Sequence, residues 1–355
     1  MEKIQNYING EIIPPISGKY FDNFSPRTGE IYSLVPDSDN DDINIAVDSA
    51  QNAFLTWSKL SKKQRYEHIM HLADVVEDYI EELIVAESKD NGKPEWLARS
   101  VDIPRVSENF RFFATASLHF DSKMHEMDGK ALNYTLRAPI GVAGCISPWN
   151  LPLYLLTWKI APALASGNTV VAKPSEITPM TAYIFSQICQ KANFPKGVIN
   201  IVHGYGNKVG ESLCLHPKVP IISFTGGTKT GKKIASYTSP MFKKLSLELG
   251  GKNPNIIFED AEFDSAVKMA IKAAFSNQGQ ICLCGSRLFV QKNIYERFKS
   301  AIIKETKKLI VGDPKKEESN LGAIVSKEHM KKIIKCIENA KKEGGNIITG
   351  GERLF

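Results

Sequence analysis

Apolar residues recur at helical spacing through the first third of the chain and in short β-rich runs after it. Residues 41–58 and 62–91 carry apolar side chains three and four apart, the period of one helix face, and Gly92 stands where a helix C-cap belongs. A third helix is predicted near 95–119. Residues 1–40 lack that period and read as turn-rich, with Asn9-Gly10, Pro14-Pro15 and Ser25-Pro26 as markers. Segment 131–137 alternates apolar and polar residues, as a half-exposed strand does. Strand-like runs at 142–146, 169–172, 198–202, 221–224 and 245–249 then alternate with helical patterns at 153–165, 179–192, 208–215 and 229–236. Strand–helix alternation of this kind predicts βαβ units, hence an α/β fold with a Rossmann-type parallel sheet and helices on both faces. Ligands bind such sheets beyond the carboxyl ends of the strands. The loops 147–150, 173–176, 204–207, 225–228 and 249–251 should therefore face one crevice. A second series follows, with strands at 256–258 and 288–291 and helices at 264–277 and 293–310, and reads as a second domain. A helix at 327–342 and a strand at 346–349 complete it. A βα domain this small would leave a sheet face uncovered.

The 355 residues suffice for two or three domains of roughly 100–200 residues each. With 43% hydrophobic and 24% charged residues, the chain has ample material for buried cores. No apolar run approaches the roughly 20 residues that span a bilayer, and the first residues lack the apolar stretch of a secretory signal, so a cytoplasmic protein without a membrane partner is expected. The net charge of +6 comes from scattered lysines rather than a dense stripe with interleaved aromatics, which argues against a nucleic-acid partner. A mild positive field still favours an anionic substrate. None of the six cysteines forms a C-x-x-C pair, so neither a zinc site nor a disulfide scaffold is indicated, and no metal is expected.

Five segments carry candidate chemistry. Residues 275–282 end a helix pattern in a glycine-containing turn and then present Cys282, either a reactive thiolate or a buried structural cysteine. Glu248 closes an apolar strand ahead of Leu249-Gly250-Gly251, as a partly desolvated general base or an exposed strand-end carboxylate. Phe224-Thr225-Gly226-Gly227 links a strand to a helix start, where backbone N–H groups suit a phosphate. Gly226 to Lys232 matches a P-loop spacing, but Lys233 replaces the Ser/Thr that would hold Mg²⁺, so a nucleotide hydrolase is disfavoured. Gly204, Gly206 and Gly210 miss the dinucleotide spacing by one residue. Lys173 and Glu176, flanking Pro174-Ser175, bracket a ribose or form a surface ion pair; a carboxylate here would favour NAD over NADP. Ile146-Ser147-Pro148-Trp149-Asn150 is a strand-end turn whose Asn150 amide suits an oxyanion or makes an Asx turn.

In order and spacing these five segments resemble the aldehyde dehydrogenase superfamily over essentially the whole chain. The resemblance implies an NAD domain formed by residues 1–120 and 139–249, an oligomerisation β-element within 121–138, and a catalytic thiol domain over 250–355. It further implies a mechanism. Cys282 attacks the aldehyde, and Asn150 and the Cys282 N–H hold the oxyanion. Hydride passes to NAD, and Glu248 activates the water that releases the acid. NAD would lie against Ile146, Ser147, Pro148, Trp149, Lys173, Ser175, Glu176, Gly206, Gly210, Phe224, Thr225, Gly226, Gly227, Leu249 and Gly250. Gly227 departs from the family pattern, where many members have a phosphate-contacting serine. Residues 102–105, 109–114, 149–160 and 280–284 look like the 2-aminomuconic semialdehyde dehydrogenase branch. That likeness implies Arg105 and Trp158 as substrate-binding residues, with Arg105 on a carboxylate, unless Arg105 pairs structurally. General or betaine-type aldehyde oxidation is the alternative within the family. The family pattern runs past residue 355 to a second ribose-binding Glu and a strand completing a homodimer or homotetramer. A C-terminally truncated chain is therefore expected, and an inactive NAD-binding fragment is the competing reading.

Overall fold

The computed structural model describes residues 1–354. Its centre is a seven-stranded sheet in which Val142–Ile146 pairs in parallel with both Thr169–Lys173 and Ile221–Gly226. Lys244–Leu249 extends one side as a parallel edge, and Ile199–Ile201 adds a parallel strand on the other. Every residue of Val142–Ile146 and Thr169–Lys173 is buried, as expected for parallel strands covered on both faces. Alternation along the strands sorts the helices. Ala143, Cys145 and Val170 pack with Leu153, Leu156, Phe185 and Ile188 of the helices Pro152–Ala165 and Met180–Lys191. Val142, Ile146 and Val171 point the other way, onto Ile43, Ala46, Val47 and Ala50 of Asn40–Trp57. Each fully buried aliphatic side chain contributes about 1.5–3 kcal/mol relative to exposure.

The structure departs from the sequence-based elements at four places. Residues 1–40 are not merely turns. The hairpin Asn6–Ile8/Glu11–Ile13 closes the sheet antiparallel beside Ile199–Ile201, and Glu2–Lys3, Ile31–Pro36 and Tyr20–Phe24 form a separate three-stranded sheet. The hairpin's two-residue turn, Asn9-Gly10, has positive φ at both positions, the combination that matches strand twist in a tight hairpin. The helix expected over 62–91 breaks at Tyr79 (φ −108°, ψ 10°) into Lys62–Asp78 and Ile80–Asn91. The helix expected over 95–119 contains a π-helical turn, Ala98–Asp102, before Pro104–Leu118. Finally, 346–349 forms no strand, and among the described residues no strand pairs with it.

The C-terminal third builds a parallel pair, Pro254–Ile257 and Arg287–Val290. Ile257, Val267, Ala270 and Phe298 form a small separate core with the helices Phe263–Phe275 and Tyr295–Thr306. On the opposite face Ile256, Phe258 and Phe289 remain exposed, which is the uncovered face anticipated for so small a unit. Residues 131–137 contribute Ala131–Tyr134, which pairs with Met124–Met127 in a two-stranded hairpin exposed at all eight positions.

Candidate active site

Strand register brings the candidate segments to one level. Ile146 lies opposite both Phe224 and Lys173, and Thr225 lies opposite Glu248. Their downstream turns therefore share the carboxyl end of the sheet, where ligands bind in this architecture. The Ser147 N–H donates to the Lys173 carbonyl at 3.2 Å. Pro148 and Trp149 are half-buried, and the Trp149 ring lies 4.8 Å from the His329 ring. Lys173 is buried and its ammonium donates to Glu176 at 2.5 Å, so the pair is not the surface ion pair that sequence left open. Burial would raise the Glu176 pKa, but the Lys173 charge and a Gly206 N–H outweigh it and hold the carboxyl below its ordinary value. Ser175 is buried, with its hydroxyl accepting from the Ile177 N–H at 3.3 Å.

The glycines have separate reasons. Gly206 to Gly210 form a π-helical turn. A Cβ on Gly226 would meet the Phe224 ring at 2.4 Å, and one on Gly231 would meet Leu249 at 2.6 Å. The helix Thr228–Thr238 thus approaches the edge strand closely. Gly227 is its N-cap, with no side-chain cap and open space where a Cβ would project. Gly250 is likewise open and exposed.

The thiol loop is built by reversing the chain. Phe263–Phe275 ends at Ser276, and Asn277, Gln278 and Gly279 follow at φ 51°, 56° and 72°. Two non-glycine residues in the left-handed region cost about 1–3 kcal/mol each, and such strain persists where surroundings over-determine it. Here they do. Asn277 donates to the Asn150 carbonyl at 2.9 Å, Gln278 to the Ala323 carbonyl at 2.9 Å, and Gln280 accepts from the Val325 N–H at 3.1 Å. Asn253 donates to the Cys282 carbonyl at 2.6 Å and the Cys284 carbonyl at 3.2 Å.

These bonds leave Cys282 exposed. Of the six cysteines only Cys336, on the helix Lys327–Lys342, shares that exposure. Burial pushes the Cys145 and Cys214 thiols up to about 12 and raises those of Cys189 and Cys284 as well. Thiols held neutral this way are poor nucleophiles. The Asn150 carboxamide donates to the Gln280 carbonyl at 2.8 Å, two residues before Cys282. An amide nitrogen carries two hydrogens, so one donor remains.

Glu248 and Arg105 each carried two readings from sequence. Glu248 is exposed rather than desolvated, because Lys244–Leu249 is an edge strand with one side open. Arg105 does not stand free: on the helix Pro104–Leu118 it pairs with Glu108 at 3.3 Å, with both side chains more than half exposed. Trp158 is partly exposed and meets Phe113 edge-on at 5.2 Å; no bonded contact links it or Arg105 to the thiol loop. Lys159 is a residue the sequence motifs assign no role. Burial lowers its pKa, with Cys145 and Glu248 pulling it back up, and its ammonium donates to Ser223 at 3.3 Å. A lone cation within the apolar helix Pro152–Ala165 was the available signal.

The chain is 50% identical to 2-aminomuconic semialdehyde dehydrogenase of Homo sapiens over 348 residues, covering 98% of this chain and 71% of that protein. It is 39% identical to 2-hydroxymuconic semialdehyde dehydrogenase of a Pseudomonas species, covering 99% and 74% of the two chains. The NAD⁺ complex of aldehyde dehydrogenase from Bacillus cereus superposes with a TM-score of 0.97 at 38% identity, over all of this chain and 72% of that one. With residues 13–355 matching the aldehyde dehydrogenase family model, the chain belongs to the aldehyde dehydrogenase family.

Proposed function

We propose that this protein oxidises an anionic semialdehyde of the muconic type to a carboxylic acid, with NAD as cofactor and a thioester on Cys282. The observation that carries the reading is the Asn150–Gln280 hydrogen bond, which joins the strand-end turn to the loop of the exposed thiol. Cys282 Sγ attacks the aldehyde carbon. The free Asn150 amide hydrogen stabilises the resulting oxyanion, a role worth about 10²–10³ in rate for a single donor. NAD, when bound, supplies the hydride acceptor. Glu248 then takes a proton from the water that releases the acid and frees the thiol. The residues present fit NAD: the uncapped, open N-terminus at Gly227 suits a phosphate, and the Lys173–Glu176 pair suits ribose hydroxyls.

Gly227→Ser is expected to tighten NAD binding several-fold. It should also add about a few tenths of a kcal/mol of stability, the usual advantage of serine over glycine at a helix N-cap. The backbone at this position (φ −73°) accepts a side chain without strain. Titration of NAD by calorimetry on both proteins checks it, and an unchanged or weaker Kd would count against a phosphate at Gly227.

The substrate assignment rests on likeness to the muconic semialdehyde dehydrogenases and on Arg105, whose Glu108 contact is exposed and thus readily exchanged for a substrate carboxylate. The test is kcat/KM for a muconic-type semialdehyde and for a neutral aliphatic aldehyde, in wild type and Arg105→Ala. A loss of about tenfold or more confined to the anionic substrate is expected, since a charge-assisted hydrogen bond is worth about 1.5–3 kcal/mol. Equal losses for both substrates would remove the carboxylate role and favour general aldehyde oxidation.

A further inference from the structure

The carbonyl of Asn150 receives three side-chain donors: Asn277 at 2.9 Å, Asn91 at 3.3 Å and the Lys93 ammonium at 3.3 Å. Asn91 also donates to the Trp149 carbonyl at 3.0 Å. Lys93 is fully buried, paired with Glu87 at 3.0 Å and with Asp102. Asp102 is delivered by the π-helical turn Ala98–Asp102. Stability alone is a weak reason to bury such a group, because well-packed apolar residues commonly serve as well or better. The cluster instead converges on one peptide carbonyl, that of the residue whose side chain reaches the thiol loop.

We propose that Lys93 is a positioning residue: with Asn91 and Asn277 it clamps the Asn150 carbonyl and so holds the Asn150 carboxamide in place for the oxyanion formed at Cys282. The proposal rests on the reading of Cys282 and Asn150 given above. Asp102 is the principal counter-charge. Burial pushes the Glu87 carboxyl up against the pull of Lys93, while Asp102 and Glu87 together keep Lys93 protonated. Glu87 also keeps one buried oxygen without a partner. The clamp spans the chain: Asn91 and Lys93 flank the left-handed Gly92, whereas Asn277 comes from the thiol loop. Gly92 is itself locked, since a Cβ there would meet the Ala323 carbonyl at 2.8 Å.

Two reactions of the same thiol separate positioning from loss of structure. Acylation of Cys282 by p-nitrophenyl acetate forms the S–acyl bond through a tetrahedral oxyanion and expels p-nitrophenolate. Alkylation by iodoacetamide forms the S–C bond and expels iodide, with no oxyanion. Neither needs NAD. In the full chain, Lys93→Met is expected to slow acylation about 10- to 100-fold, within the range for a misplaced oxyanion donor, while alkylation changes less than about threefold. In an Asn150→Ala background the further loss should be under about twofold, because residues acting through one group are not additive. Asn277→Asp replaces the same donor set at one isosteric atom and should show the same split even where Lys93→Met folds poorly. Equal losses in both reactions, unchanged acylation, or full additivity with Asn150→Ala would overturn the proposal. Wild-type acylation no faster at Cys282 than at exposed Cys336 would instead overturn the nucleophile reading beneath it.

Discussion

Cys282→Ala is expected to reduce aldehyde oxidation to background, a loss on the order of 10⁴-fold or more, as removal of a catalytic nucleophile produces. Cys336→Ala should leave the rate unchanged. The contrast is sharp because both thiols are exposed and the other four are buried. Exposure alone therefore does not select Cys282. What differs is the surroundings: Cys336 lies on a helix with no buried residue, whereas Cys282 follows a loop bonded to Asn150 and to the Ala323–Val325 segment. Rates of reduced-cofactor formation for the wild type and both variants are the measurement. A Cys282→Ala protein retaining a tenth or more of the wild-type rate would be incompatible with a thioester route. A wild-type chain that binds NAD and oxidises no aldehyde would favour the binding-only alternative.

Glu248→Gln should stall the second half of the reaction. Removing a general base costs about 10²–10⁴ in the step it serves, so steady-state turnover should fall by that amount. One equivalent of reduced cofactor per subunit is still expected in a burst, with acyl mass retained on Cys282. The same steady-state rate in both proteins would show that water is activated elsewhere. Lys159 is the first group to test in that event, since its buried ammonium senses the Glu248 charge. Glu248 is not desolvated in this structure, so its role rests on location: register opposite Thr225 at the ligand end of the sheet.

How legible each feature was follows from how local its cause is. The parallel strands were readable because a strand covered on both faces becomes a continuous apolar run, as in Val142–Ile146 and Thr169–Lys173. The N-terminal strands were not readable, because their pairing is remote: Tyr7 lies beside Ile201. The break at Tyr79 was hidden because apolar spacing continues across it into Ile80–Asn91. The π-helical turn at Gly206–Gly210 was likewise hidden, because nothing in its local spacing distinguishes it from an α-helical start. Asn277 and Gln280 lay inside a recognised segment, yet nothing local says that one reaches the Asn150 carbonyl and the other the Val325 N–H.

By itself the sequence determined the α/β architecture, the alternation of the parallel strands with their helices, and the set of residue types needed at a thiol-based site, since periodicity, turn chemistry and motif spacing act over a few residues. Tertiary structure alone decided which cysteines are withdrawn by burial, that Glu248 sits on an open edge, and that Lys93 reaches the Asn150 carbonyl. Those outcomes depend on solvent exclusion and on contacts between segments far apart in the chain, such as the 130 residues between Asn150 and Gln280. No local pattern encodes the dielectric surroundings or the partner that such long-range packing supplies.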